Sequence, residues 1–590
     1  MSLPLKQYRS LLKNYLKPQQ ASVIGLGVTL LGSIGLQILS PQLLGYFIDT
    51  ATAGGATQAL LIAALLFIGV ALLTQVLTIV ATYFGENVAW TATNALRTDL
   101  VEHCLQLDLS FHKSHTPGEL LERVDGDVTT LSRFFSQLVI HILGNGILLV
   151  GILLVLFFED WRAGLSLSLF SIMALSLLLS LRSFAVMPWA EYRQLGAEFF
   201  GFLGEHLAGR EDIRANGAVS YVMYRFHQIL QRWLPIYQKA RFASTVLWAT
   251  SVGLFTTGNA IALAVAAYLW NQNAITIGTA YLIFHYTNLL NQPIERIREE
   301  LEELQQVEAS IHRIQALLQT QSCLRMGGDA PLPTGALSVT FDRVWFNYEV
   351  EDRTQNDLPP SPQLQNISFH LPAGQVLGLL GRTGSGKTTI ARLLLRLYDI
   401  QSGKISIGGV SIAQASLPNL RQRIGLVTQD IQLFQASVRD NLTFFDSDIQ
   451  DAKILEMLAQ LGLMEWLQSL PSGLDTRLGS DSGGLSAGQA QLLAFARVFL
   501  KNPGLVILDE ASSRLDPATE QLIEQAVDRL LDGRTGIIIA HRLQTVQRAN
   551  QILILEHGKI VEYGDRHTLA RKTNSRFSQL VKTGSEHRRS

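Results

Sequence analysis

Gly381-Arg382-Thr383-Gly384-Ser385-Gly386-Lys387-Thr388-Thr389 is the stretch whose reading decides the fold. It follows an apolar run, Gln375 to Leu380, and opens a helical pattern from Ile390 to Tyr398. A strand, a glycine-rich turn and a helix in that order form a phosphate-binding loop. A triphosphate is a compact cluster of negative charge that needs several donors converging with no side chain in the way. Glycines let the backbone curl so that successive N–H groups point inward, and the helix N-terminus adds its positive dipole end. Lys387 is then expected along the β- and γ-phosphates and the Thr388 hydroxyl on Mg²⁺.

Downstream, Leu505-Val506-Ile507-Leu508-Asp509-Glu510 reads as a buried strand ending in two acids. Such a strand delivers Asp509 to the Mg²⁺ beside the phosphate loop and leaves Glu510 to polarise an attacking water. Phosphoryl transfer depends mainly on positioning and charge stabilisation, which suits two carboxylates at a strand end. Between these stretches lies Leu485-Ser486-Ala487-Gly488-Gln489, which opens a helix running to about Leu500. Ser486 with Gln489 matches a capping box. Either this is simply a well-capped helix, or its N-terminus is presented to a phosphate.

Upstream the composition changes. Hydrophobic residues make up 47% of the 590-residue chain and charged residues 16%, so an apolar half joined to a soluble half is expected. Net charge is −1, which gives no electrostatic case for nucleic acid. Cys104 and Cys323 cannot supply a disulfide framework. Apolar runs fall at 21–48, 57–84, 134–158, 163–187 and 243–270, with a weaker one at 276–294. About 20 helical residues cross the roughly 30 Å hydrocarbon layer, and only helices satisfy their backbone there. The sixth run, with His285, Asn288, Asn291 and Gln292, is included because an even number of crossings returns the chain to its starting side. Lys and Arg concentrate in 85–133 and 188–242 and are nearly absent from 49–56, 159–162 and 271–278. Positive charge stays inside, so both termini are expected in the cytosol of an inner or plasma membrane, with two long helical connections protruding there. The start, with Leu5, Tyr8, Leu11, Leu12, Tyr15 and Leu16 on one face, suits an interfacial helix or one packed on protein. Pro331, Pro333 and Gly335 mark a domain boundary.

Taken in order, the phosphate loop, Gln429, Leu485–Gln489, Asp509-Glu510 and His541 resemble the nucleotide-binding domain of an ABC transporter. Pro117 to Arg123 with Asp127, Gly209 to Asn216, and Thr276-Ile277-Gly278 with Pro293 resemble the exporter-type membrane domain. The resemblance spans nearly the whole chain. It implies that Tyr348 stacks on adenine and that Gly381, Thr383, Gly384, Ser385, Gly386, Lys387, Thr388 and Thr389 hold the ATP phosphates. Thr388, Gln429 and Asp509 would attend Mg²⁺, and Glu510, His541 and Gln429 would serve catalysis. Ser486, Gly488 and Gln489 would close over ATP held by a second subunit, with Asp516 at that seam. Three positions depart from the family pattern: Ala487 stands where Gly is usual, Arg514 replaces a small residue, and Ser480 replaces Glu. Residues 349–363 read as a polar, Pro-containing insertion.

The expected fold is multidomain: an all-α six-helix transmembrane domain of the ABC exporter type followed by an α/β P-loop ATPase domain. The expected divisions are 1–20 interfacial helix, 21–318 membrane domain, 319–334 linker, 335–585 nucleotide domain and 586–590 tail. One signature stretch and one phosphate loop make a half-transporter, so the partner is a second half, identical by preference and different as the other option. Cargo would leave the cytosol by alternating access driven by ATP and Mg²⁺, with helices near 110–118 and 209–216 passing on the motion. An ATP-gated channel or membrane-anchored regulatory ATPase is the alternative. Gln37, Gln75, His141, Asn145, Asn259, His285 and Asn288 lie at membrane depth, either lining a cavity or bonding helices together. Scarce intramembrane charge, with Arg182 near a helix end, points to amphiphilic cargo: a drug, a lipid or a peptide.

Overall fold

The computed structural model describes residues 15–324, 327–348, 363–429, 431–479, 485–509, 517–540 and 545–586, with backbone alone at 134–140, 182, 183, 185, 186, 301–306, 308, 517, 518 and 583–586. Two compact units emerge. One joins Met1–Leu105 with Pro117–Thr320; the other joins Gln106–Thr116 with Gln321–Ser590.

Long helices build the first unit. In chain order these are α1 (Gln20–Thr52) and α2 (Thr57–Gln106), then, after the short α3 (Leu109–Ser114) of the other unit, α4 (Gly144–Glu159), α5 (Trp161–Ala208), α6 (Val219–Asn271) and α7 (Ile277–Gln319). Among the described residues, five segments are long and apolar enough to cross a membrane: Lys17–Thr52, Thr57–Gln106, His141–Glu159, Trp161–Leu181 and Val219–Asn271. The sixth expected crossing, the start of α7, is helical but does not reach that apolarity. Its neighbours explain why. Ile283, Tyr286 and Ile294 of α7 are fully buried in a core with Ile34, Ile152, Leu167 and Leu269, so protein rather than lipid covers this helix. The Tyr286 hydroxyl donates to the Ile38 carbonyl at 2.6 Å. At the other end the Asp49 carboxylate accepts from the Thr276 hydroxyl and the Gly278 N–H, each at 2.7 Å. With 50 and 53 residues, α2 and α6 are each about 75–80 Å long, well beyond a bilayer core.

The second unit has two sheets. The first is antiparallel in the order β2 (Leu364–Leu371), β1 (Val339–Phe346), β4 (Ser402–Ile407), β5 (Val410–Ser411). The second runs β10 (Lys559–Asp565), β9 (Gln551–Glu556), β3 (Val376–Gly381), β8 (Thr535–Ile539), β7 (Leu505–Asp509), β6 (Ile424–Val427). Its five strands β9, β3, β8, β7 and β6 are mutually parallel and β10 closes the edge antiparallel. Parallel strands are covered on both faces and so read as continuous apolar runs; Leu505 to Leu508 and Thr535 to Ile539 are all buried. One core cluster joins the two sheets through Phe341, Leu377, Ile507 and Ile537. The other packs Val506, Leu508 and Ile538 against α9 (Ala487–Lys501) and α10 (Pro517–Leu531), labelled after α8 (Lys387–Leu394).

Candidate nucleotide site

Because β3, β8, β7 and β6 are parallel, their carboxyl ends share one edge, where ligands of open α/β sheets bind. Register aligns Leu379 with Ile539, Leu508 with Ile538 and Val427 with Leu508. The phosphate loop therefore leaves β3 at the same edge that carries Asp509 and, two residues beyond β6, the exposed Gln429.

Glycine is required in the loop on steric grounds. Gly381 has φ +149°, and a Cβ there would lie 2.3 Å from the Leu555 carbonyl oxygen. Gly386, the residue before α8, has φ +105°, and its Cβ would meet Leu364 at 2.6 Å. Gly384 (φ +81°) faces open space, and Thr383 is exposed beside it. The Lys387 side chain is only 5% exposed and donates to the carbonyls of Gly381 and Arg382 at 2.7 and 3.0 Å. That curls the ammonium over the mouth of the loop. The Ser385 hydroxyl is buried and has no hydrogen-bond partner among the described residues, so an acceptor arriving in the loop would satisfy it. Thr388 is exposed and its hydroxyl donates to the Asp509 carboxylate at 3.3 Å. A hydroxyl and a carboxylate side by side are hard oxygen ligands of the kind Mg²⁺ takes together with phosphates and water.

Thr389 is buried and pairs with the Tyr348 hydroxyl at 3.1 Å. Arg392 of α8 donates to the same hydroxyl at 3.3 Å. Phe346 and Tyr398 meet the Tyr348 ring nearly perpendicularly, at 4.9 and 5.1 Å. Ser486 and Gln489 satisfy each other rather than the loop. The Gln489 N–H donates to the Ser486 hydroxyl at 3.1 Å, and the Ser486 N–H to the Gln489 side chain at 3.0 Å. Gly488 is buried on the first turn of α9. Ala487 is the first helical residue and has no left-handed backbone angle, so this departure from the family pattern strains nothing. Arg497 of α9 donates to the Gln432 and Asn441 carbonyls at 3.0 and 2.7 Å. Burial pushes its guanidinium below the ordinary arginine value, and it ties the segment after Gln429 to α9. Glu510, His541, Asp516, Arg514, Ser480 and the 349–362 part of the expected insertion lie outside the described residues, as does the Arg182 side chain.

Two residues of this unit escaped the sequence reading. Asp108 caps α3, accepting from the backbone of Ser110 and Phe111 at 2.9 and 3.2 Å, from the Ser322 hydroxyl at 3.0 Å and from the Cys323 N–H. Burial pushes its carboxyl up. The bonds from Cys323, Phe111, Ser322 and Ser110 outweigh that and hold it below the usual carboxylate range. The Asp-Leu-Ser start of α3 was a legible cap signal. Lys113, on the same short helix, lies over the Tyr348 ring, 4.1 Å from its centroid; no local pattern reveals a contact 235 residues apart in sequence.

Known proteins now bear on this geometry. The ABC transporter transmembrane region family matches residues 23–294 and the ABC transporter family residues 364–513. The chain is an exporter-type ABC transporter. It is 28% identical to an uncharacterized ABC transporter ATP-binding protein, YknV, of Bacillus subtilis, over 97% of this chain and 93% of that protein. It is also 28% identical to an ATP-dependent lipid A-core flippase of Alcanivorax borkumensis, over 93% and 92% of the two chains. The structure of a bacterial Atm1-family ABC exporter with ATP bound superposes with a TM-score of 0.75, at 25% identity, covering 96% of this chain and 98% of that one. The ABC transporter is thus a multi-pass membrane protein whose ATPase domain binds ATP and drives export. These relatives do not favour the gated-channel alternative. A half-transporter fold suggests a dimer.

Proposed function

We propose that two copies of this chain form a homodimer in the inner or plasma membrane, with both termini cytosolic, and move an amphiphilic molecule out of the cytosol. The observation that carries the reading is the shared strand edge. There a glycine-forced loop, a curled Lys387 and the Thr388–Asp509 pair at 3.3 Å meet within one sheet. In this reading the N–H groups from Gly381 to Thr389 and the Lys387 ammonium hold the ATP phosphates. Mg²⁺ held by Thr388 and Asp509, with Gln429 close by, would neutralise charge on the phosphates. Glu510 takes a proton from water and His541 steadies the γ-phosphate. Ser486, Gly488 and Gln489 of each copy close over ATP held by the other, with Asp516 at the seam; two such sites need two chains. A dimer also accounts for the bare faces of α2, where Leu61, Leu72 and Ile79 are each more than 60% exposed; lipid and a partner helix can cover them.

Cargo class rests on two supports. Charged side chains are scarce in the spanning segments, and several relatives are named as lipid A-core flippases. A lipid-like amphiphile fits both. Glu510→Gln in reconstituted vesicles tests the catalytic assignment. ATP binding should remain near wild type while phosphate release falls about a hundredfold or more. Unchanged phosphate release would remove Glu510 from its role. Stimulation of wild-type ATPase by lipids, amphiphilic drugs or peptides then ranks the cargo classes.

A further inference from the structure

We infer that Lys113 is a built-in competitor of the nucleotide base, occupying one face of Tyr348 until adenine displaces it. This rests on the reading that Tyr348 stacks on the base. Phe346 and Tyr398 of the core pack against the Tyr348 ring almost at right angles, and its hydroxyl is fixed between Thr389 and Arg392. These contacts fix the plane of the ring. Onto this ring α3 brings the Lys113 ammonium, 4.1 Å from the centroid, the range of a cation–π contact. A purine stacked on the face that Lys113 covers needs the same space over the same atoms. Ammonium and base exclude each other there.

The position of Lys113 is itself well determined. Leu109, at the start of α3, packs on the core cluster that Tyr348 also packs on. Asp108 fixes the first turn through Ser110 and Phe111 and clips it to Ser322 and Cys323. Phe111 is buried and stacks on His115, with centroids 4.3 Å apart. Lys113 is therefore the free arm of an anchored helix. That helix runs directly into α2 on one side and into Pro117–Leu121 on the other. A base arriving on Tyr348 displaces the arm, so base occupancy is reported to α3 separately from phosphate occupancy at the loop.

The proposal predicts a split between base and phosphate that a purely structural lysine would not produce. In the full-length transporter in vesicles, Lys113→Ala should lower the KM for ATP about two- to tenfold, the scale of one lost cation–π contact. Inhibition by inorganic tripolyphosphate, which has no base, should not change. Lys113→Arg keeps a cation over the ring and should restore the wild-type KM. Tyr348→Ala should raise the KM for ATP and again spare tripolyphosphate. If Tyr348→Ala leaves the KM unchanged, base stacking on Tyr348 is wrong and the inference falls with it. If Tyr348→Ala raises the KM but Lys113→Ala leaves it unchanged or raises it, stacking stands and the competition alone is overturned.

Discussion

The carboxyl edge of the six-stranded sheet and the outer face of α2 ask different things of sequence. At the edge, one added carbon at Gly381 would sit 2.3 Å from a backbone oxygen. A lysine must also curl onto two particular carbonyls, and a threonine must lie within reach of one aspartate. Along α2, Leu61, Leu65, Leu72 and Ile79 are mostly exposed, and any apolar side chain of similar size meets the same demand from lipid. The first region specifies atoms; the second specifies only a solvent. Residue identity is therefore informative about chemistry in one and about environment in the other.

Gly381→Ala is the sharpest way to break this contrast. The substitution adds a Cβ in a left-handed backbone region and against the carbonyl of Leu555, on a strand paired on both sides. ATPase activity should fall by about two orders of magnitude or more, with nucleotide binding lost in parallel, as read by phosphate release and by binding of a fluorescent ATP analogue. Retained binding would mean that the loop tolerates more than its geometry suggests.

The same contrast explains what could be read in advance. Strands that are apolar throughout and end in chemistry-bearing residues made the loop and Asp509 legible together, although the order β3, β8, β7, β6 came only from the structure. The antiparallel sheet of β1, β2, β4 and β5 was not legible, because β1 and β2 mix buried and exposed positions and carry no phosphate-binding chemistry. The first five crossings were legible by apolarity. The start of α7 is less apolar because Tyr286 and Ile283 face protein, and hydropathy measures lipid exposure. Asp108 and Lys113 escaped because their partners, Ser322, Cys323 and Tyr348, are more than 200 residues away.

Asp108 lies between the two regimes, since it specifies atoms but performs no catalysis. Asp108→Ala removes a cap and leaves the Cys323 N–H without its acceptor, costing about 2 kcal/mol. The melting midpoint of the detergent-solubilised transporter should drop accordingly at pH 7. A carboxyl depressed in the folded state stabilises above its unfolded value, roughly 3.9, and loses that contribution only as pH falls through the lower folded value. The gap between wild type and variant should therefore stay constant from pH 8 to pH 5. A gap that widens as pH falls to 6 would mean that burial, not hydrogen bonding, governs this carboxyl.

The smallest expected effect lies inside the membrane unit, at its own case of atom-level pairing. The Asn259 amide of α6 donates to the Asn288 side chain of α7 at 2.9 Å, and Asn288 also donates to the Phe284 carbonyl at 3.2 Å. The Asn259 side-chain oxygen stays buried without a partner among the described residues. A bond half-satisfied in this way is weak glue; helix–helix hydrogen bonds in membranes average about 0.6 kcal/mol. Asn288→Leu should shift the melting midpoint only slightly. Adding Asn259→Leu should recover the loss, because a pair replaced on both sides strands no polar group. Transport should follow stability in both variants if the pair only holds α6 to α7. The alternative, that these amides face cargo, predicts a different result: transport lost in the double variant with its melting midpoint intact. That result would make atom-level specification in the membrane half a matter of cargo as well as of packing.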